Sequence, residues 1–351
     1  MKIEKQIRRR KFAKITMGLI GAGISFPYVN FGKPNRSKAP IVGHGDFQYK
    51  VHWDWGKQNP TRIPVKDCHE MVQDRKGRLF LLTNETKNNV IIYDRSGKVL
   101  STWGNAFPGG HGLTLSREGE EEFLFITDHD RHQVFKTTLD GKILMTLDYP
   151  KETGKYEKAE QYKPTEVAVA PNGDFYVADG YGLDYIIHYN HKGKYIRHFG
   201  GKGDNKDQLK NAHGVCIDQR DPANPVLLVT SRATQEFKRF TLDGKYLDTV
   251  STPGCWICRP VIHGDNLYFS VIVTKNWGAY DGLVIVLDKK NRIISAPGGS
   301  APVYQNGLLQ EIEYDGHTFL NPHDVCVDQD TNLYVPQWYS GKTYPVMLER
   351  I

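Results

Sequence analysis

The sequence predicts an all-β chain, a six-bladed β-propeller closed by a strand from its own N-terminal part. Three observations carry that expectation. A unit of apolar strands and a glycine turn recurs beyond about residue 47, its apolar runs follow strand periods with almost no helical periodicity, and the last unit stops one strand short. Ring closure hides sheet edges, so a chain this rich in strands need not aggregate.

The units can be read in order. The first runs from His69-Glu70-Met71 through Leu79 to Leu82 and Val90 to Tyr93; the second from His111-Gly112-Leu113 through Leu124 to Ile126 and Gln133 to Phe135. The third joins Pro164 to Val167 with Phe175 to Val177 and Ile186-Ile187, and the fourth joins His213-Gly214-Val215 with Leu227 to Val229 and Phe237. Each of these third strands enters a hairpin, at Ser96-Gly97-Lys98, Asp140-Gly141-Lys142, Lys192-Gly193-Lys194 and Asp243-Gly244-Lys245. Glycine supplies the positive φ that such turns require. Two weaker copies follow, Arg259 to Ile294 and Pro322 to Ile351, and the latter has only three strands. Phe47 to Trp55 resembles the outer strands and is expected to complete it.

The division expected is a leader over 1–38 and a propeller over 39–351. The whole chain is net +6, yet its first 38 residues hold ten Lys or Arg against Glu4 alone, so the remainder is net −3. A mildly acidic domain gives no reason to expect nucleic acid as a partner. Arg9-Arg10-Lys11-Phe12-Ala13-Lys14, followed by the mildly apolar run Ile15 to Val29, has the order of an export signal. It resembles a bacterial twin-arginine signal, with Arg8 where Ser or Thr is usual, and implies a periplasmic or extracellular protein. The competing reading is a basic tail without targeting function. No run of about twenty apolar residues occurs. Contact with a membrane is therefore expected only through an uncleaved leader, and the chain is expected to be a monomer.

Aligning the units on their first strands places His69, His111, Thr165, His213 and His323 at one position. Innermost strands line a propeller's channel, so four imidazoles converge on the axis. Neutral imidazoles suit a borderline divalent cation, zinc before iron, manganese or nickel. The exits of the second strands carry Asn84, Asp128-His129, Asp179-Gly180-Tyr181, Ser231-Arg232 and Gln337-Trp338, which are expected to ring one mouth of the channel.

The repeats are similar to NHL repeats, and the functional family they resemble is the peptidyl-α-hydroxyglycine α-amidating lyase, with the clearest matches at His111 to Lys136, Lys163 to Phe199 and Asn321 to Val335. The resemblance implies zinc ligands at His111, His213 and His323. It implies catalytic roles for Tyr181, as base, and Arg232, as donor to a carboxylate or carbonyl. It further implies a structural calcium at Asp324 and the Leu113 carbonyl, although Asp324 equally suits a second role, orienting an imidazole. Two departures stand out: the first blade offers His69-Glu70 with no identifiable arginine, and Gly182 replaces a cysteine.

Cys216 and Cys326 lie three residues after a ring histidine and are expected inside blade packing. Cys255 and Cys258 have redox spacing but no second pair, and are read first as two thiols at the start of blade five. The function expected is an exported metal-dependent lyase acting on a small or peptide-derived substrate. The alternatives are a binding propeller for a protein or glycan, and a metal-dependent hydrolase or lactonase on the same fold.

Overall fold

The computed structural model describes residues 40–273 and 281–351. The leader expected over 1–38, with the twin-arginine-like pattern read there, lies outside the described residues. Within the compact unit Ala39–Ile351 six blade sheets follow one another, with a small two-stranded ribbon, Tyr304–Gln305 and Leu308–Leu309, between the fifth and the sixth. Blade one is Cys68–Gln73, Leu79–Thr83, Val90–Tyr93 and Val99–Trp103; the inner strands of the next five are Gly110–Glu118, Glu166–Val169, Val215–Asp218, Val261–His263 and Cys326–Val327. Each inner strand touches those of the two neighbouring blades, and the cycle closes between blades six and one. The chain is a six-bladed β-propeller.

Closure is made as expected by Phe47–His52, which pairs with Val346–Arg350 in blade six. It ends at His52, short of Trp55, whose indole N–H is instead bound to the Arg95 carbonyl at 3.0 Å. A further strand, Ile41–His44, adds a fifth, outermost member that the repeat pattern did not announce.

Strands in the middle of a blade are buried on both faces, and alternate residues serve different neighbours. Leu79 and Leu81 pack toward blade six while Phe80 and Leu82 pack toward blade two. One such apolar cluster fills each of the six gaps between blades. Continuous apolar strands are therefore required where an isolated sheet would alternate. The turn glycines Gly97, Gly141, Gly193 and Gly244 have φ of 85°, 92°, 77° and 89°. At Gly97 a Cβ would also lie 1.8 Å from the Trp55 carbonyl oxygen, so both backbone and neighbour exclude a side chain. Among the described residues helical structure is confined to three 3₁₀ turns.

Candidate metal centre

The starts of the inner strands bring His69, His111, His213 and His323 together, each at most 2% exposed. Ring centroids lie 4.9 Å apart for His69 and His111, 4.8 Å for His69 and His323, 4.8 Å for His111 and His323, 4.7 Å for His111 and His213, and 5.1 Å for His213 and His323. One nitrogen from each of His69, His111 and His323 falls within 4.8 Å of the other two. The resemblance picks out His111, His213 and His323; the tightest trio exchanges His213 for His69. Blade three contributes Thr165 at this level and blade five Cys258, both fully buried.

Backbone carbonyls at the same level set the tautomers. His111 donates from Nδ1 to the Thr165 carbonyl at 2.8 Å, and His323 donates from Nδ1 to the His69 carbonyl at 3.0 Å. Both rings then carry their lone pair on Nε2, as a cation ligand must. Neither nitrogen of His69 has a hydrogen-bond partner, nor does Nδ1 of His213. Orphaned buried polar atoms of this kind are costly unless a ligand satisfies them. The donor set thus fits a borderline divalent cation.

Burial holds the imidazoles neutral: it pushes His69 down to about 3 and keeps His111, His213 and His323 well below the usual range, helped by mutual repulsion. A group that is neutral in the fold but takes a proton when unfolded costs stability as pH falls below its unfolded value. Replacing His69 with Gln in metal-free protein is therefore expected to remove about 1.4 kcal/mol of acid destabilisation per pH unit between pH 6.5 and 5. Denaturant unfolding of the two proteins across that range checks this; parallel profiles would contradict it.

Tyr181 closes the histidine cluster from the mouth. Its residue surface is 39% exposed, yet the hydroxyl reaches 3.1 Å from His111 Nε2 and 3.0 Å from His213 Nε2. Because His111 Nε2 is bare, the hydroxyl donates to it and accepts from His213. Burial raises the Tyr181 pKa, opposed by the nearby charge of the Arg232 guanidinium. Arg232, 2% exposed, is fixed by the Ile257 carbonyl at 2.8 Å and contacts Cys258 Sγ at 3.4 Å. Cys258 and Cys255 are free thiols, pushed by burial up to about 11 and about 12 respectively. The redox-like spacing places one of them behind Arg232 and the other in the core between blades four and five. Cys216 and Cys326 pack against blade cores, as their parity implies.

The polar residues expected to ring the mouth mostly turn back into their own loops. Asn84 grips Asp67 at 2.9 and 3.0 Å, Asp128 accepts from the amides of Gly109, Asp130 and Arg131, and Gln337 accepts from Leu320 N at 2.6 Å. Asp179 accepts from Lys163 N and Leu183 N, both at 2.6 Å, and from Tyr156 at 2.7 Å, which shapes the turn that carries Tyr181. Burial lifts it to about 7 despite those bonds. Trp338 packs beside Cys258, Ile272 and Val273. His129 does reach the centre, its ring 6.0 Å from His111 and 5.7 Å from Tyr181.

The calcium expected at Asp324 and Leu113 does not fit. The Asp324 carboxylate and the Leu113 carbonyl do converge, but on the guanidinium of Arg259: Nε to Asp324 Oδ1 is 2.8 Å, Nη2 to Oδ2 2.9 Å and Nη1 to Leu113 O 2.9 Å. Sequence reasoning missed Arg259. The signal was its register, one residue past the histidine level, the same as Glu70, Glu166 and Asp324. Among the described residues the Asp324 carboxylate bonds Arg259 and the Met71 amide, its Oδ2 accepting from Met71 N at 2.9 Å, and no imidazole nitrogen.

A six-bladed propeller with an imidazole cluster, a tyrosine and an arginine at the head of its channel defines the class. Among known proteins, the chain is 43% identical to peptidyl-α-hydroxyglycine α-amidating lyase 1 of Drosophila melanogaster over 266 aligned residues, covering 69% of this chain and 45% of that protein. It is 37% identical to a probable peptidyl-α-hydroxyglycine α-amidating lyase of Caenorhabditis elegans over 117 residues, 33% of this chain and 31% of that one. The chain thus matches less than half the length of these relatives. No family model matches. A gluconolactonase from Xanthomonas campestris superposes with a TM-score of 0.59 at 14% identity, over 90% of this chain and 95% of that one, a likeness of fold alone. Over the part it shares with them, the chain is similar in sequence to the amidating lyases.

Proposed function

We propose that this chain is a carbon–nitrogen lyase that holds a divalent cation, zinc by preference, on its channel histidines and acts on a peptide-derived α-hydroxyglycine unit. The observation that carries the reading is the Tyr181 hydroxyl set between two of four converging imidazoles and against a buried arginine. The names of the relatives support the substrate class. His111 and His323 are the ligands common to the geometric trio and to the resemblance, with His213 and His69 completing the set.

When bound, the cation supplies Lewis acidity toward a substrate oxygen and lowers the pKa of groups beside it. Tyr181, as phenolate, takes the proton of the substrate hydroxyl. The O–H electron pair becomes the carbonyl bond of glyoxylate, the carbon–nitrogen pair leaves with nitrogen, and the proton returns from Tyr181 to complete the amide. Arg232 offers N–H groups to the substrate carboxylate or carbonyl, and Ile257 O and Cys258 hold its plane still. The leader over 1–38 directs export of the folded protein, and the working form is a monomer.

The three channel carboxylates Glu70, Glu166 and Asp324 all face Arg259 and leave the imidazoles as the donor set, which separates this reading from a carboxylate-ligated lactonase. Tyr181→Phe is expected to lower kcat for glyoxylate release from an α-hydroxyglycine peptide by about 100-fold or more with little change in KM. An unchanged kcat would remove Tyr181 from the chemistry, and absence of glyoxylate with metal-replete wild type would refute the lyase.

A further inference from the structure

We propose that Arg259 is a built-in axial cation: its guanidinium permanently fills an oxygen cage of the kind that binds calcium, so the propeller needs no calcium at its axis and acquires a cation site only when that side chain is removed. This goes beyond the lyase reading and stands whether or not the chain is a lyase.

The cage is built from one register position. The residue after the histidine level is Glu70, Gly112, Glu166, Gly214, Arg259 and Asp324 in blades one to six. Arg259 donates to both oxygens of Asp324, to the Leu113 carbonyl and, from Nη2, to the Met71 carbonyl at 2.9 Å. Its Nη1 also lies 3.0 Å from Glu70 Oε2 and 3.6 Å from Glu166 Oε2. One side chain from blade five thereby ties blades one, two, three and six. The remaining blade, the fourth, makes room: a Cβ on Gly214 would lie 2.5 Å from Arg259 Cα.

The donors are all hard oxygens, the set calcium prefers. Their spacing is that of N–H···O bonds around a planar fork, however, and each direction of the fork is used. Three buried carboxylates, Glu70, Glu166 and Asp324, face the single positive charge of Arg259. Glu166 Oε2 has no hydrogen-bond partner, so the cage has an acceptor in reserve.

The floor of this layer also divides the channel. A cavity of about 560 Å³ lies at the opposite mouth, lined by Arg259, Cys216, Cys326 and Thr114 but by none of the four ring histidines. Arg259 therefore seals the histidine side from below, which a metal ion held by the same oxygens would do only when bound.

The test uses the full chain, with calcium as the probe and thermal unfolding as the readout. Wild type dialysed against calcium is expected to hold less than about 0.1 equivalent after desalting, and its Tm to differ by less than about 1 °C between EGTA and 1 mM calcium. Arg259→Ala should unfold at lower temperature in EGTA and recover about 3 °C or more in 1 mM calcium, but not in 1 mM magnesium. Arg259→Lys keeps a cation in the cage without the fork; it should be less stable than wild type and unresponsive to calcium. Stoichiometric calcium in wild type, a calcium-raised wild-type Tm, or an Arg259→Ala protein that folds without responding to calcium would each overturn the proposal. Should Arg259→Ala not fold, the wild-type and Lys measurements decide alone.

Discussion

Asp324→Ala is expected to destabilise the propeller by about 3–5 kcal/mol, the largest stability effect of any single channel substitution. Asp324 accepts both arms of the Arg259 fork and, through Oδ2, the Met71 amide at 2.9 Å, and it is fully buried. Its removal strands a guanidinium that is 8% exposed and leaves the Met71 N–H without an acceptor. Glu70 cannot restore the bidentate geometry, since its Oε2 already accepts from Leu113 N at 2.6 Å. Asp324→Asn keeps the shape and one acceptor and is expected to cost roughly half as much. Denaturant unfolding at pH 7.5 reads both; a loss below about 1 kcal/mol for Asp324→Ala would show that the axial network does not hold the blades.

His323→Ala is expected to lower bound divalent metal from about one equivalent to less than a tenth while the strand-rich circular dichroism spectrum stays as in wild type. His323 belongs both to the trio of closest nitrogens and to the set implied by the resemblance, and its Nδ1 bond to the His69 carbonyl aims Nε2 at the cluster. His69→Ala and His213→Ala each remove an imidazole that belongs to only one of those two sets and should lose less metal than His323→Ala. The larger loss of those two names the third ligand. Elemental analysis of the three variants beside wild type makes the comparison. Equal metal in His323→Ala and wild type would move the metal away from the channel.

The fold was legible because its grammar is local. A glycine at positive φ between the third and fourth strands recurs at Gly97, Gly141, Gly193 and Gly244, and strands buried on both faces read as continuous apolar runs. The histidine level was legible for the same reason, since a fixed register on inner strands becomes convergence on an axis. Ile41–His44 was not: an outermost strand packs against little and carries no repeat signature. Arg259 was hidden by its neighbour. Cys258 occupies the position that holds histidine in four other blades, so blade five offered no marker from which to count one residue further. The mouth residues failed differently. Asn84, Asp128 and Gln337 carry polar side chains that bind loop amides close to them in place of the channel.

Glyoxylate release from a peptide ending in α-hydroxyglycine, measured with one protein sample before chelation, after chelation and after readdition of zinc, tests the central claim most directly. The account predicts turnover well above the spontaneous rate, its loss on chelation, and recovery at about one equivalent of zinc. Spontaneous-rate release in all three states would contradict it.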